Sequence, residues 1–425
     1  MIKKKALKDE FIYEETLKSG LKVAIHPKKN YKKTLVSLQV NFGGIDVCYR
    51  YDNQIKTIPT GVAHFLEHSF FSNNGRNLAE EFSKHGASVN AYTSKSITAY
   101  KFNCIDNLEY LLGYFLETFI KPDFSEASIQ KEKRIIKHEL NMSDDSIHQD
   151  LHRKLKKMMY TDLGIFSDVG GTVKDVLTLD SDLLDDVFNV FYHPMNMSLT
   201  ITGDVSPEKL FKQIKDHSYN LYNWPIYKSA ERIITDTKRT VHNYQKAIPL
   251  NDTNIIAYSI KIPNQTFIDF DREFIHIAVG TIISNAFGLA SKNFDIMKRQ
   301  KLMNVSFSAN STIERDYGFI NIYVQTEHVK KYSKIIEEMI LNIGRLPLDE
   351  ELFNLDKKMI MGNYITIFDS LSRIHDFLCN CVCEGIDIET YLDQVLDIKI
   401  EDLDPIKALF TKENIYSVKY LKAVK

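Results

Sequence analysis

The stretch that decides the fold is "GVAHFLEHSFF", residues 61–71, in which three polar side chains interrupt an apolar segment. In a helix, positions i, i+3 and i+4 share one face, so His64, Glu67 and His68 would point the same way. Two imidazoles and a carboxylate are costly to bury among apolar side chains unless something satisfies them. Histidine is the commonest metal ligand, so the stretch predicts a helix that carries part of a metal site.

Composition and charge limit the class of protein. The chain has 425 residues, more than one ordinary core holds, which predicts two domains of about 200 residues each. An apolar fraction of 44% with 26% charged residues is typical of a globular protein. The formal net charge of −2 gives no electrostatic basis for binding nucleic acid or an anionic membrane surface.

The N-terminus and the cysteines predict a cytoplasmic location. The basic start "MIKKKALKDEFIYEE" is followed by no apolar run of the kind a secretory signal needs, and its early acids are unlike a transit peptide. No apolar run approaches the roughly 20 residues of a membrane span. Five cysteines, an odd number, favour a reducing compartment. The cluster "CNCVC", 379–383, lacks the spacing of a structural zinc site and is predicted to be small apolar filler in a helix.

The order of predicted elements occurs twice along the chain. In the first half, an alternating strand around Val36 precedes the helix at 61–71, two strands in "SVNAYTS" and "ITAYKF", and a helical pattern. In the second half, an alternating strand around Ile256 precedes a helix, two strands and another helix. Corresponding positions are offset by about 220 residues, which indicates duplication of one α+β unit.

This repetition predicts an α+β fold of two homologous domains, each an antiparallel-rich sheet with helices packed on one face. The predicted N-terminal domain, 1–215, carries the candidate metal ligands. Residues 216–245 are predicted to be a linker, and residues 246–425 a homologous C-terminal domain. The second copy has no His or Glu at its counterpart of "HFLEH", so we expect no metal site there.

The His-x-x-Glu-His spacing suits metal-dependent hydrolysis. A catalytic zinc takes about three protein ligands and leaves one position open. His64 and His68 can face one ion, and Glu67 beside them can take a proton from water and pass it to a leaving amine. This is the inverzincin pattern, His-Glu-x-x-His reversed. A helix with solvated surface histidines is the alternative that these five positions alone leave open.

A third ligand must come from elsewhere, and "QKEKRIIKHELNM", residues 130–142, offers two acids. Glu132 and Glu139 are seven residues apart, about two helical turns, and share a face. His138 points about 100 degrees away from Glu139 and is predicted to lie at the surface.

Together these motifs resemble the pitrilysin, insulysin and mitochondrial processing peptidase family of inverted zinc metallopeptidases. The resemblance covers nearly the whole chain and rests on four stretches: "GVAHFLEHSFF", "GASVNAYTSKSITAYKF", "EKRIIKHELNM" and "FYHPMNMSLTITGDVSPEKL". It implies one Zn²⁺ per chain, bound by His64, His68 and Glu139. It also implies that Glu67 is the general base and that Glu132 orients a histidine ligand.

The same resemblance implies where a peptide would bind. The strand around Asn90, Ala91 and Tyr92 resembles the family's substrate-binding edge, to which an extended peptide would add as a further strand. An ordinary strand interior is the alternative for these residues.

One departure from the family pattern concerns the second half. Family members often place an Arg and a Tyr of the second domain near the scissile carbonyl. In "MKRQKLMNVSFSA", Arg299 fits the arginine, but Val305 stands at the tyrosine position and Leu302 at a glycine position. An oxyanion donor is worth about 3 kcal/mol, so a replacement is expected from elsewhere. Val305 as an ordinary strand residue, in a member that uses another donor, is the alternative.

In the family's two-subunit branch, a second, metal-free homologous subunit supplies such an Arg/Tyr pair, and a homodimer is the other arrangement expected. This sequence resembles the zinc-bearing chain of such a pair. "FGGIDVCYR" and "NNGRNL" resemble bacterial members of peptide-maturation pathways, such as those for sactipeptides.

The expected function is therefore that of a zinc-dependent endopeptidase that cleaves peptides or unfolded segments in a closed chamber, as the catalytic subunit of a heterodimer. The alternative is a non-catalytic scaffold or peptide-binding subunit of a larger complex. Scaffold relatives usually lack ligands or base, whereas all four residues are in place here.

Overall fold

The alternating stretch around Val36 is a strand in the computed structural model, which describes residues 1–73, 76–120, 122–143, 147–236, 241–248, 253–299 and 307–422. Val36, Leu38 and Val40 point to one face of this strand and are fully buried. Ser37 and Gln39 point to the opposite face. The period of two thus places an apolar surface on one side of the sheet.

The strands follow the predicted order in both halves. In chain order they are β1 (Ile2–Leu7), β2 (Glu10–Thr16), β3 (Lys22–Pro27), β4 (Thr34–Val40), β5 (Cys48–Tyr51), β6 (Gln54–Thr57), β7 (Ser72–Asn73), β8 (Arg76–Asn77), β9 (Ser88–Thr93), β10 (Thr98–Cys104), β11 (Met197–Gly203), β12 (Glu231–Arg232), β13 (Asn243–Ile248), β14 (Asn254–Ile262), β15 (Ser308–Ile313), β16 (Gly318–Thr326) and β17 (Ile415–Lys422).

The helices include the predicted one at 61–71, which begins after Gly61. In chain order they are α1 (Val62–Phe71), α2 (Leu78–Lys84), α3 (Leu108–Thr118), α4 (Glu126–Ser143), α5 (Ile147–Met159), α6 (Leu163–Phe166), α7 (Val173–Leu177), α8 (Ser181–Phe191), α9 (Pro207–Asp216), α10 (Ser218–Leu221), α11 (Thr266–Asp269), α12 (Arg272–Phe287), α13 (Lys292–Arg299), α14 (Val329–Arg345), α15 (Glu350–Ile367), α16 (Leu371–Glu384), α17 (Tyr391–Asp397) and α18 (Asp404–Lys407).

The chain divides into two units that are not continuous in sequence. The first unit contains Met1–Asp145, Ser167–Ile234 and Asn363–Leu392, and the second contains Ser146–Phe166, Thr235–Gly362 and Asp393–Lys425. This division follows compactness, whereas the boundaries predicted at 215 and 246 follow the duplication. Those boundaries therefore stay a prediction.

The predicted α+β duplication is confirmed by the strand order. The main sheet of the first unit runs β1-β2-β3-β11-β4-β10-β9, and the sheet of the second runs β13-β17-β14-β16-β15. In each sheet one pair is parallel, β3 with β11 or β13 with β17. The pairs that follow it toward β9 or β15 are antiparallel. Five strands thus occur twice in one arrangement, as expected for a repeated unit.

A helix from late in the sequence covers the second face of the first unit's sheet. α16 packs on β3, β4 and β11, on the face opposite Val36 and its apolar neighbours. Its His375 is 3% exposed, with Nε2 2.7 Å from Oγ of Ser37 and Nδ1 3.0 Å from Oγ1 of Thr202. The sequence predicted helices on one face of each sheet, and the structure also has α16 on the second face of this sheet.

The cysteine cluster lies on this same helix. Cys379 and Cys381 are buried. Burial raises the pKa of the Cys379 thiol to about 12, so it remains protonated and packs as a small apolar group. The prediction that this cluster fills space in a helix is confirmed for Cys379 and Cys381, whereas Cys383 on the same helix is half-buried.

Within the described residues, no single helix is both long and apolar enough to cross a membrane. The bent pair α12 and α13 meets that test by length and composition alone. α12 places Ile275, Val279 and Ile282 in the core of the second unit, where each is fully buried.

The buried His375 gives a first prediction, on acid stability. Burial, together with the neighbouring Lys101 and His26, lowers the pKa of His375 to about 3. The unfolded chain therefore binds a proton below about pH 6.5 that the folded chain does not, and the free energy of unfolding falls as the pH falls. Between about pH 6 and pH 4 this residue lowers the free energy of unfolding by up to about 1.4 kcal/mol per pH unit. We expect His375→Gln to abolish that part of the pH dependence.

The measurement is urea unfolding followed by the fluorescence of Trp224, the only tryptophan, which lies in the same unit as His375. The variant should be less stable than the wild type at pH 7, because two hydrogen bonds are altered. The difference in the free energy of unfolding between wild type and variant should become smaller as the pH is lowered. If the free energies of unfolding of wild type and variant fall in parallel between pH 6 and pH 4, His375 does not have the lowered pKa described above.

Candidate metal centre

Two glycines let the start of α1 approach a loop from later in the chain. Gly61 has φ +87° and Gly171 has φ +75°, values in the left-handed region that favours glycine. A Cβ on Gly171 would lie 2.5 Å from the carbonyl carbon of Thr60. The Thr60 hydroxyl also donates a hydrogen bond to the Asp175 carboxylate. These contacts hold the helix at its first turn, just before His64.

The helix presents a polar face and buries the opposite one. Phe65, Leu66 and Phe70 are fully buried in the core of the first unit. His64 and His68 lie on the exposed side of α1, with ring centroids 4.7 Å apart and an interplanar angle of 73°. As the spacing predicted, one helical turn separates the two imidazoles and they face the same way.

Helix α4 brings both predicted acids to these histidines. The Glu139 carboxylate lies between the rings, with Oε1 3.8 Å from Nε2 of His64 and Oε2 3.6 Å from Nε2 of His68. Glu132 approaches from the other side, its Oε2 3.5 Å from Nδ1 of His68. Glu132 is buried whereas Glu139 is exposed, and the neighbouring His138 is exposed as predicted.

The three ligand atoms offered by His64, His68 and Glu139 fit a single ion. They all lie within 4.8 Å of one another. In a tetrahedral zinc site with bonds of roughly 2.0–2.1 Å, neighbouring ligand atoms are about 3.3 Å apart, so atoms separated by as much as 4.8 Å would move closer by up to about 1.5 Å to bind one ion. Among the residues the structure describes, no other group of three His, Cys, Asp or Glu side chains meets this distance criterion.

The two histidines have different electrostatic surroundings. Burial and the neighbouring His68 lower the pKa of His64. Burial alone would also lower the pKa of His68, but the Glu132 carboxylate and the charges of Glu67 and Glu139 outweigh it and raise that pKa. The negative charge around His68 is what a cation bound there would meet.

Glu67 sits next to this group without belonging to it. Its Oε2 accepts a hydrogen bond of 2.6 Å from the hydroxyl of Thr93, the last residue of β9. Burial raises the pKa of the Glu67 carboxyl, and the hydroxyl and backbone N–H of Thr93 offset part of that rise. Sequence reasoning did not single out Thr93, although strand alternation places residues 89, 91 and 93 on one face of β9.

The predicted peptide-binding residues divide between two faces of β9. Ala91 packs against the core that contains α1, whereas Asn90 and Tyr92 belong to the opposite face. There Tyr92 has the Lys101 ammonium 4.6 Å from its ring centroid. β9 is nonetheless the last strand of its sheet, so its outer backbone edge is unpaired by any described strand.

Arg299 is the last residue of α13 in the second unit. Its side chain is 82% exposed, and its guanidinium lies 3.9 Å from the Asp295 carboxylate. Val305 and Leu302, the positions that depart from the family pattern, lie outside the described residues.

Comparison with known proteins identifies the family. Residues 22–172 match the family described as Insulinase (Peptidase family M16), and residues 178–359 match the Peptidase M16 inactive domain. The chain belongs to peptidase family M16. The description of the second match as inactive agrees with the absence of a His or Glu from the second copy of the motif.

Curated relatives of this M16 chain carry zinc protease names. The uncharacterized zinc protease YmfH of Bacillus subtilis is 29% identical over 370 residues, 85% of each chain. The putative zinc protease AlbF of Bacillus subtilis is 29% identical over 325 residues, 75% of this chain and 74% of that one.

Solved structures share the fold of this M16 chain. A putative M16-like peptidase from Alicyclobacillus acidocaldarius superposes with a TM-score of 0.87 at 21% identity, covering 99% of this chain and 100% of the other. Pitrilysin superposes with a TM-score of 0.79 at 18% identity, covering 99% of this chain and 46% of its own. At these identities the likeness speaks for the fold alone.

The position of Glu132 gives a second prediction, on metal affinity. Side chains that hydrogen-bond a histidine ligand orient its ring, and removing them typically weakens metal binding by about 10- to 100-fold. We therefore expect Glu132→Gln to weaken zinc binding by about that factor, because His68 loses the carboxylate beside its Nδ1. The measurement is competition for zinc against a chromogenic chelator.

Glu126→Gln is the matched control, because Glu126 is an exposed acid in the first turn of the same helix. It should bind zinc as the wild type does. Equal affinities for wild type, Glu132→Gln and the control would show that Glu132 does not orient His68.

Proposed function

We propose that this M16 chain is a zinc-dependent endopeptidase that cleaves peptides or unfolded segments. The observation that carries the proposal is the pair of histidines on α1 with Glu139 of α4 between them, their ligand atoms within 4.8 Å. Beside this group lies Glu67, a carboxylate whose nearest partner is a threonine rather than another ligand. Three ligands and an adjacent base are what metal-assisted hydrolysis of an amide requires.

In this proposal His64, His68 and Glu139 hold the ion, and Glu132 keeps the His68 ring turned so that its Nε2 faces Glu139. A zinc ion held here would supply Lewis acidity toward a peptide carbonyl and toward water. The exposed carboxylate of Glu139 leaves the site open to solvent on one side, as a catalytic centre needs.

Glu67 has the role of general base. Burial raises the pKa of its carboxyl, so the carboxylate is more basic than one in water. It takes a proton from water as the oxygen attacks the peptide carbonyl, and it later delivers that proton to the nitrogen of the leaving amine. The second transfer regenerates the carboxylate for the next turnover.

The peptide would bind in an extended conformation along the outer edge of β9. Because β9 is the last strand of its sheet, the main-chain groups of alternate residues in the stretch of Asn90, Ala91 and Tyr92 face its outer edge and can pair with a substrate strand. Recognition through main-chain hydrogen bonds would depend weakly on substrate sequence.

We further propose that a second, metal-free homologous subunit completes the catalytic centre in a closed chamber, and that the pair works in the cytoplasm. The sequence supports a partner, since valine replaces the family's tyrosine at position 305. The odd number of cysteines, five, supports the location.

The decisive experiment compares the zinc-loaded chain with Glu67→Gln on a mixed pool of peptides of roughly 15 to 40 residues, long enough for extended binding. Mass spectrometry reads the products. Removing a general base costs about 10²- to 10⁴-fold, so we expect the variant to keep its zinc and lose cleavage. Glu80→Gln, an exposed acid on α2, is the control and should cleave as the wild type does.

Turnover by Glu67→Gln at the wild-type rate would overturn the mechanism. If neither the wild type nor the variant cleaves any peptide, the experiment is repeated with a metal-free homologous chain added. If cleavage does not appear with that partner either, the chain is a scaffold or peptide-binding subunit.

A further inference from the structure

Thr93 meets the proposed base with two groups. Its hydroxyl donates a hydrogen bond of 2.6 Å to Oε2 of Glu67, and its backbone N–H also interacts with that carboxylate. A donor–acceptor distance of 2.6 Å is typical of a hydroxyl bound to an ionised oxygen, which is stronger than a bond between neutral groups. The contact therefore restrains a side chain that would otherwise sample several rotamers.

The register of the sheet places Thr93 opposite Thr98. Thr93 pairs with Thr98, and Ala91 pairs with Tyr100 on the same face of the sheet. Tyr100 is buried in the core on which α1 packs. Because side chains alternate along a strand, this register directs the Thr93 hydroxyl toward α1. A shift by one residue would turn it to the other face.

The turn that follows Thr93 is held by neighbouring backbone. The N–H of Ser94 donates to the carbonyl of Ile97 at 2.8 Å, which closes the turn between β9 and β10. The N–H groups of Gly44 and Ile45 donate to the carbonyls of Ser94 and Lys95 at 3.0 and 2.9 Å. Thr93 is thus mounted on a fixed backbone rather than on a free loop.

The buried side chain of Lys95 adds a connection to the other end of the site. Its ammonium donates to the carbonyl of Ser167, at the start of the loop whose Gly171 packs against Thr60. The strand end that carries Thr93 and the loop that holds the first turn of α1 are therefore joined.

We propose that Thr93 is a positioning residue that holds the Glu67 carboxylate in the orientation in which it accepts a proton from water. This inference rests on the proposed function, because it assigns Thr93 a task only if Glu67 is the base. Thr93 acts through Glu67 and touches neither the metal ligands nor the substrate in this role.

Thr93→Val tests the proposal, because valine keeps the shape and the backbone N–H and removes only the hydroxyl. We expect kcat to fall by about 10- to 100-fold, the range for a hydrogen bond to a charged group. KM and bound zinc should stay within twofold of the wild type. Thr93→Ser restores the hydroxyl and should recover kcat to within about threefold.

Thr98→Val is the matched control. It makes the same substitution in the cross-strand partner, whose buried hydroxyl donates a hydrogen bond of 2.9 Å to the carbonyl of Phe42 and not to Glu67. It should lower thermal stability while leaving kcat unchanged. A fall in kcat for Thr98→Val equal to that of Thr93→Val would mean a general effect on the sheet and would overturn the proposal.

Crystal structures of the zinc-loaded variants give a readout that is independent of turnover. In the wild type and in Thr93→Ser, the Glu67 carboxylate should occupy one position in contact with the hydroxyl. In Thr93→Val it should move or take several positions. An unmoved carboxylate in Thr93→Val, or a kcat within twofold of the wild type, refutes the positioning role. If the wild type cleaves nothing either alone or with a metal-free homologous chain, the proposed function fails, and the position of Glu67 in these crystals still decides whether Thr93 holds it.

Discussion

The site depends on contacts between the polar face of α1 and acidic side chains, because imidazoles held against the protein need polar partners. The other face of α1 is packed into the core, so His64 and His68 cannot turn away from the protein. Glu139 and the buried Glu132 meet these imidazoles from α4. Removing the buried Glu132 carboxylate would be costly, because the His68 ring would lose the acid beside its Nδ1. The two helices are therefore linked by these polar contacts as well as by packing.

The sequence predicted those parts of the site that lie on one element. His64, Glu67 and His68 belong to one helical turn, and the period of 3.6 puts them together regardless of the rest of the fold. The choice between Glu132 and Glu139 was carried by family resemblance, because both lie on one face of α4. What separates them is tertiary: Glu139 faces both rings, whereas Glu132 is buried behind His68.

Features that depend on packing between distant segments were not predicted. The contact of Thr93 with Glu67 requires the register of β9 against β10, which a single sequence specifies only weakly. The same register turns the side chains of Asn90 and Tyr92 to the face opposite α1. The position of α16 escaped prediction as well, since its amphipathic pattern does not say which sheet it covers.

The origin of α16 has a consequence for biosynthesis. β11, at the centre of the first unit's sheet, is complete at Gly203, whereas α16 is complete only at Glu384, roughly 180 residues later. Ribosomes add about 5–20 residues per second, so about 10 to 40 seconds separate the two events. Throughout that interval one face of the nascent sheet is exposed to water. The hydroxyls of Ser37 and Thr202 on that face lack their partner, His375 of α16. The sheet that begins the chain is thus covered on its second face only late in synthesis, and a chaperone that shields one open sheet face would bind in that interval.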